Sequence, residues 1–170
     1  MTLKGKDYVA TLESIVKQMM TPLRKVPLPL VIEALSGKKV ILFDRANKQD
    51  AQLLRELIQV ATFAGRTMNA EGVKSNRPNE VGNYIEPFVK QALAQYGFEA
   101  DTPACQSGRR RAVGYPDIIF LDKNNRPIYL ECKTFNIRNI ETTQRAFYLS
   151  PSEDCKISQD ALHLILSYQM

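Results

Sequence analysis

The stretch Gly114–Thr134, GYPDIIFLDKNNRPIYLECKT, sets two apolar runs on either side of a polar turn. That pattern predicts two strands joined by a hairpin loop. Reversal about Asn124 or Asn125 brings Asp117, at the head of the first run, opposite or nearly opposite Glu131 in the second. Strand side chains alternate between faces. Tyr129, Glu131 and Lys133 therefore point one way, and Ile128, Leu130 and Cys132 point the other way into the core. Acids and a lysine are rare in runs this apolar, so their placement needs a physical reason.

Two carboxylates on adjacent strands, with a lysine two residues beyond one of them, make a site for a hard cation. Burying such acids without a cation would be costly. Magnesium takes oxygen ligands and keeps several waters. Two acids and one backbone carbonyl, with Cys132 among the metal candidates beside Asp117 and Glu131, fill part of its octahedron. Room remains for a phosphate and a water. Lys133 can hold or help deprotonate that water, while the metal neutralises charge building on the phosphate.

The rest of the chain supplies helices around this hairpin. Residues 6–20 carry Val9, Leu12, Ile15, Val16 and Met19 at helical spacing. Pro22, Pro27 and Pro29 interrupt any helix beyond residue 20, and PLVIEALSG predicts a short helix with Gly37 beyond its end. KKVILFD fits a short strand or a helix start equally well. Residues 49–65 predict a helix ending near Gly65, and residues 66–79 a polar loop.

The next helix, NEVGNYIEPFVKQALAQYGF, lines up Val81, Ile85, Phe88, Val89, Ala92 and Leu93 on one face, with Gly97 as its stop. Pro87 predicts either a late start near Ile85 or a kink. Glu86 falls at the edge of the apolar face and Glu80 farther round. Residues 136–149 predict a further helix and ALHLILSYQM a final strand. A strand running to the last residue suggests a longer natural chain.

Composition narrows the function classes. The chain has 170 residues, of which 44% are hydrophobic and 24% charged, which fits one folded domain. No run approaches the roughly 20 apolar residues of a membrane span, and the first residues lack a signal-peptide core. The expected location is the cytoplasm. Three scattered cysteines without a CxxC pair suggest neither a zinc site nor a disulfide framework. His163 is the one histidine, which excludes any mechanism needing two and reads as structural, as Cys132 reads as a small core residue. The net charge of +5 favours a polyanionic partner. SGRRRAVG concentrates Arg109, Arg110 and Arg111 in a Gly-flanked loop just before the hairpin. Arginine pairs with phosphate in a bidentate manner, so these residues are candidate DNA contacts. Gln106 and Ser107 in the same loop are candidates for base edges. Arg138 and Arg145, seven apart on the predicted helix after Lys133, share a face and are further candidates. Asn76 and Arg77 before the earlier helix are weaker ones.

Pro116-Asp117, thirteen residues, then Glu131-Cys132-Lys133 resembles the motif of the PD-(D/E)XK nuclease superfamily, to which most type II restriction endonucleases belong. The preceding helix, with Gly82-x-x-x-Glu86 closing on Tyr96-Gly97-Phe98, is similar to the first helix of restriction enzymes and archaeal junction resolvases. The similarity covers about residues 78–135, and residues 1–75 match nothing placeable. It implies an α/β fold, with an αβββαβ core around a mixed sheet (residues 76–170) and a mainly helical N-terminal region (residues 1–75) in a single nuclease domain. It implies Asp117 and Glu131 as magnesium ligands, Lys133 at the attacking water, and Glu86 or Glu80 as a further acid of the metal site. The activity it implies is hydrolysis of double-stranded DNA leaving a 5′-phosphate. A palindromic site cut on both strands needs a homodimer, with residues 1–75 the natural place for its contacts. The rival readings are a structure-directed repair nuclease or Holliday junction resolvase, a catalytically silent DNA-binding module on this fold, and an unrelated α/β protein with a chance motif.

Overall fold

The computed structural model of the chain describes residues 5–20, 26–72, 81–111, 114–135 and 154–169. Its elements run α1 (Gly5–Met20), α2 (Leu28–Ser36), β1 (Val40–Ile41), α3 (Lys48–Glu71), α4 (Val81–Gln95), β2 (Ala100–Asp101), β3 (Ile118–Leu121), β4 (Pro127–Phe135) and β5 (Ala161–Gln169). The strands form an open five-stranded sheet in the order β1-β5-β4-β3-β2. β2, β3 and β4 pair antiparallel in turn, whereas β5 lies parallel to β4 and β1 parallel to β5. This is the expected α/β class with a mixed sheet. The helix expected over residues 136–149, which would complete the αβββαβ order, lies outside the described residues.

The hairpin forms in the register that the apolar pattern predicts. Ile118 pairs with Leu130 and Leu121 with Pro127, so the reversal centres on Asn124. Asn125 takes a left-handed φ of 60°, which asparagine tolerates better than most residues. Asp122 builds the turn: its Oδ1 accepts the N–H groups of Asn124 at 2.8 Å and Arg126 at 2.9 Å.

β4 is the middle strand and is buried on both sides from Ile128 to Cys132. On one face, Ile118, Phe120, Ile128, Leu130, Cys132 and Leu162 meet the stripe Leu53, Leu57, Val60, Ala64 and Met68 of α3 and Ile85, Val89, Ala92 and Leu93 of α4. On the other face, Tyr129 and Ala161 pack with Ile32 of α2 and Ile157. The alternation of β4 therefore separates two cores, and Glu131 lies on the side of the smaller one.

One expectation about the helices needs correction. α3 does not stop at Gly65 but runs on to Glu71, so residues 66–71 are helix and not loop. A mid-helix glycine weakens a helix by only about 1 kcal/mol. Ala64 and Met68 keep the apolar stripe in register across it, and a ring carbon of Tyr168 lies 3.7 Å from where a Cβ would stand. The true stop is Gly72, with φ 74° and its N–H on the Met68 carbonyl. Of the two alternatives that Pro87 left for α4, the late start near Ile85 does not hold: the helix begins at Val81 and carries Pro87 inside it. KKVILFD takes the first of its two expected forms, the short edge strand β1.

α3 is also tied to the hairpin by charge. Arg126 donates through Nη1 to Asp50 Oδ1 at 2.5 Å and through Nε to Asp122 Oδ2 at 2.8 Å. Burial works against ionisation of Asp50, but the Asp44 N–H and the Arg126 guanidinium outweigh it and hold its carboxyl below the usual range.

Candidate active site

The β3–β4 ladder fixes where the acids stand. Continuing the pairing of Ile118 with Leu130 by one step places Asp117 across from Glu131. Asp117 Oδ2 accepts the N–H of Cys132 at 2.8 Å, so the strand that carries Glu131 also holds Asp117. Glu131 is 4% exposed. Lys133 reaches back along the same face, and its Nζ lies 2.6 Å from Glu131 Oε1. The lysine side chain stays 46% exposed, so its ammonium meets solvent beside buried Glu131 and half-buried Asp117.

Both acids hold their protons more tightly than usual. For Asp117 burial dominates, and the Cys132 N–H and Lys133 only partly offset it. For Glu131 burial again dominates, with the Asp117 charge adding to it and the bond from Lys133 opposing it. The Glu131 Oε2 atom is buried without a hydrogen-bond partner. A buried carboxylate oxygen left in this state is costly, and protonation or a hard cation would each remove the cost. The donor set therefore fits a divalent ion of the magnesium type. Cys132 brings its N–H to Asp117 while its thiol lies in the larger core, where burial and the Asp117 charge keep it protonated.

The raised carboxyls carry a testable sign. An acid whose folded value lies above its unfolded one favours the folded state at low pH, and that contribution is lost as pH rises through the folded value. In chelator, Glu131→Gln is expected to melt above the parent protein, by an amount that grows as pH rises from about 4 to about 8. Thermal melts of both proteins across that range check this, and a constant or shrinking gap would contradict it.

The other predicted site residues lie farther from the pair. Glu86 on α4 is about three-quarters buried and lies 2.6 Å from Lys90, whose Nζ also donates to Thr102 Oγ1 at 2.7 Å. Its charge raises Asp117, but the structure does not gather it with Asp117 and Glu131. Among the described residues no three or more His, Cys, Asp or Glu side chains cluster as a metal-holding group. Glu80, Arg138, Arg145, Asn76 and Arg77 lie outside the described residues.

The arginine loop is a small hairpin. Cys105 donates its N–H to the Arg109 carbonyl at 2.7 Å, and Gly108 takes the turn with φ 82°. Arg109, Arg110 and Arg111 are exposed; Arg110 pairs with Asp101 and Arg111 lies 3.5 Å from Asp154. Gln106 and Ser107 use their side chains internally. Gln106 Nε2 donates to the Ile157 carbonyl at 3.2 Å, and Ser107 Oγ donates to Asp154 Oδ2 at 2.7 Å.

Two further residues stand in this region, and the first had no readable sequence signal. Lys156 is 3% exposed and bonds the chain just before Asp117. His163 pairs through Nδ1 with the Tyr115 hydroxyl at 2.5 Å and packs against both Tyr115 and Tyr129. Burial lowers its pKa to about 4, so it is neutral at pH 7. The sequence reading as a structural residue agrees with that packing.

With this geometry in place, known proteins provide a comparison. The profile of the type II restriction enzyme MjaV family matches residues 22–170. The chain belongs to this family. It is also 38% identical over 183 aligned positions to the type II restriction enzyme MjaV of Methanocaldococcus jannaschii, an alignment covering 99% of this chain and 79% of that relative. No solved structure matches the chain. Membership in the MjaV family makes the chain a restriction endonuclease, and its match spans every residue of the acid pair and of the arginine loop.

Proposed function

We propose that the chain is a magnesium-dependent endonuclease of the PD-(D/E)XK superfamily that hydrolyses phosphodiester bonds in double-stranded DNA. The observation that carries the reading is the pair of half-buried Asp117 and buried Glu131 on adjacent strands, with Lys133 bonded to Glu131 and one Glu131 oxygen left unpartnered. Asp117 and Glu131 would hold the ion, which supplies charge neutralisation at the phosphate and a more acidic water. Lys133, half exposed above the pair, orients the attacking water through its ammonium and stabilises the hydroxide formed as the proton passes to solvent. The Cys132 N–H keeps Asp117 in place while the phosphate is approached.

The arginine hairpin presents positive charge on a Gly108 turn nine residues before Asp117 in the chain. We assign it to backbone contacts on DNA. Removing Arg109, Arg110 and Arg111 together is expected to weaken DNA binding and to reduce the slope of log K against log salt by about 1 per arginine. Binding in calcium or chelator at several salt concentrations measures this, and an unchanged slope would contradict it. Gln106 and Ser107 support the hairpin from below, so we assign sequence reading to other groups.

Cleavage of both strands of a symmetric site favours a homodimer. Exposed apolar side chains on α1 support this: Tyr8, Val9, Leu12, Ile15 and Val16 are 41–55% exposed and share the apolar side of one helix. No helix among the described residues is long and apolar enough to cross a membrane.

Incubation of long duplex DNA with the protein, in magnesium or in chelator, tests the reading. Discrete fragments with 5′-phosphate ends, formed only with magnesium, are the expected result. A magnesium-dependent smear would move the assignment to a non-specific or structure-directed nuclease. Binding without cleavage, even with magnesium and branched DNA, would favour a silent DNA-binding module.

A further inference from the structure

Lys156 lies in a short segment between undescribed residues and β5, and it is 3% exposed. Lysine is almost never this buried unless its ammonium is occupied. Here the Nζ donates to the carbonyl of Gly114 at 2.7 Å and to that of Pro116 at 3.2 Å. These two carbonyls flank Tyr115, and Pro116 immediately precedes Asp117.

The base from which Lys156 reaches is itself fixed. The Gln106 N–H donates to the Cys155 carbonyl at 2.9 Å, Gln106 Nε2 holds the Ile157 carbonyl, and Ser107 bonds Asp154. Ile157 is buried in the smaller core. Downstream of Asp117, β3 fixes the backbone by pairing with β4. Upstream, residues 114–116 belong to no strand, so their position is set by other bonds. Lys156 supplies two of them. Burial opposes its charge, while Asp117, Glu86 and Glu131 favour it. The ammonium therefore meets a backbone need and a negative field at one point.

We propose that Lys156 is a positioning residue: by clamping the Gly114 and Pro116 carbonyls it fixes Asp117 against Glu131, so that the acid pair meets a divalent cation in one arrangement. This rests on the reading of Asp117 and Glu131 as the cation site. Sequence inspection misses it because Lys156 lies 39 positions from Asp117 and in no periodic element.

The test is kcat as a function of magnesium concentration, with KM for DNA and thermal melting, for the parent protein, Lys156→Met, Lys156→Arg and Asp117→Asn. Groups that hold metal ligands in place are worth roughly 10–100-fold in metal affinity or activity. Folded Lys156→Met is expected to need about tenfold more magnesium for half-maximal rate and to lose roughly 10–100-fold in kcat, with KM for DNA within about twofold. Lys156→Arg keeps the charge but reaches farther, so it displaces the two carbonyls and also raises the magnesium requirement. A folded Lys156→Met with the parental magnesium curve overturns the proposal, while an active parent and an inactive Asp117→Asn would leave the functional reading intact. A parent protein that cuts no DNA overturns both. Where Lys156→Met does not fold, Lys156→Arg decides: a raised magnesium requirement supports the clamp, and a parental curve overturns it.

Discussion

Replacing Asp117 by asparagine is expected to lower kcat for DNA cleavage by about a thousandfold, on the scale of removing a group that stabilises transition-state charge. Asparagine keeps the shape of the side chain, and its carbonyl oxygen can still accept the Cys132 N–H that Asp117 accepts at 2.8 Å. What it removes is one of two negative charges facing the site. Glu131, 4% exposed, would then be the remaining buried acid of the pair, with Lys133 as its cation. The fold should tolerate the change: burial already penalises the ionised form of Asp117, so its loss relieves an unfavourable charge in metal-free protein. The expected signature is a collapse in kcat without a fall in melting temperature or in DNA affinity measured in chelator. A variant that retains more than about a tenth of the parental kcat would contradict the role of Asp117.

The largest expected loss of stability belongs to Arg126. Asp50 and Asp122 are 3% and 4% exposed, and Arg126 bonds both. Arg126→Met keeps a long apolar stem but leaves two buried carboxylates without their cation. Breaking a buried pair from one side costs about 3 kcal/mol or more. For a chain of this size that lowers Tm by roughly 6–12 °C. The loss reaches across the fold, because Asp50 sits in the first turn of α3 and Asp122 in the hairpin that presents the acid pair. The pH dependence has a definite sign. The folded value of Asp50 is depressed below 3.8, so its stabilising contribution is present above the unfolded value and is lost as pH falls through the folded one. Denaturant titrations of both proteins at neutral and strongly acid pH should therefore show the gap narrowing at the acid end. A difference under about 1 kcal/mol at neutral pH would contradict this role of the bridge.

The acid pair was legible in the sequence because three local rules agree on it. Apolar alternation, the Asn124-Asn125 turn and the Pro127-to-Phe135 run all specify one register, and that register alone puts Asp117 across from Glu131. α4 was legible for the same reason, although Pro87 pointed to a later start than Val81. α3 was misjudged in length because Gly65 carries the mark of a helix stop, while the apolar stripe through Ala64 and Met68 carries the helix on across it. β1 has two residues, too few for any period to show, and exists because β5 offers an edge. Arg126 and Lys156 look like ordinary surface cations in the sequence. What buries them is the meeting of segments remote in the chain: Asp50 on α3 for one, the run before Asp117 for the other. The place of Glu86 on the helix was readable, and in the structure it pairs with its i, i+4 neighbour Lys90 while its charge acts on Asp117.

The central claim is that Asp117 and Glu131 together hold a divalent cation. Calorimetric titration of magnesium into the free protein and into Asp117→Asn tests it most directly, with melts of both to show that each is folded. Saturable binding to the parent protein and its loss in the variant are the predicted result. Equal binding by the two proteins would contradict it.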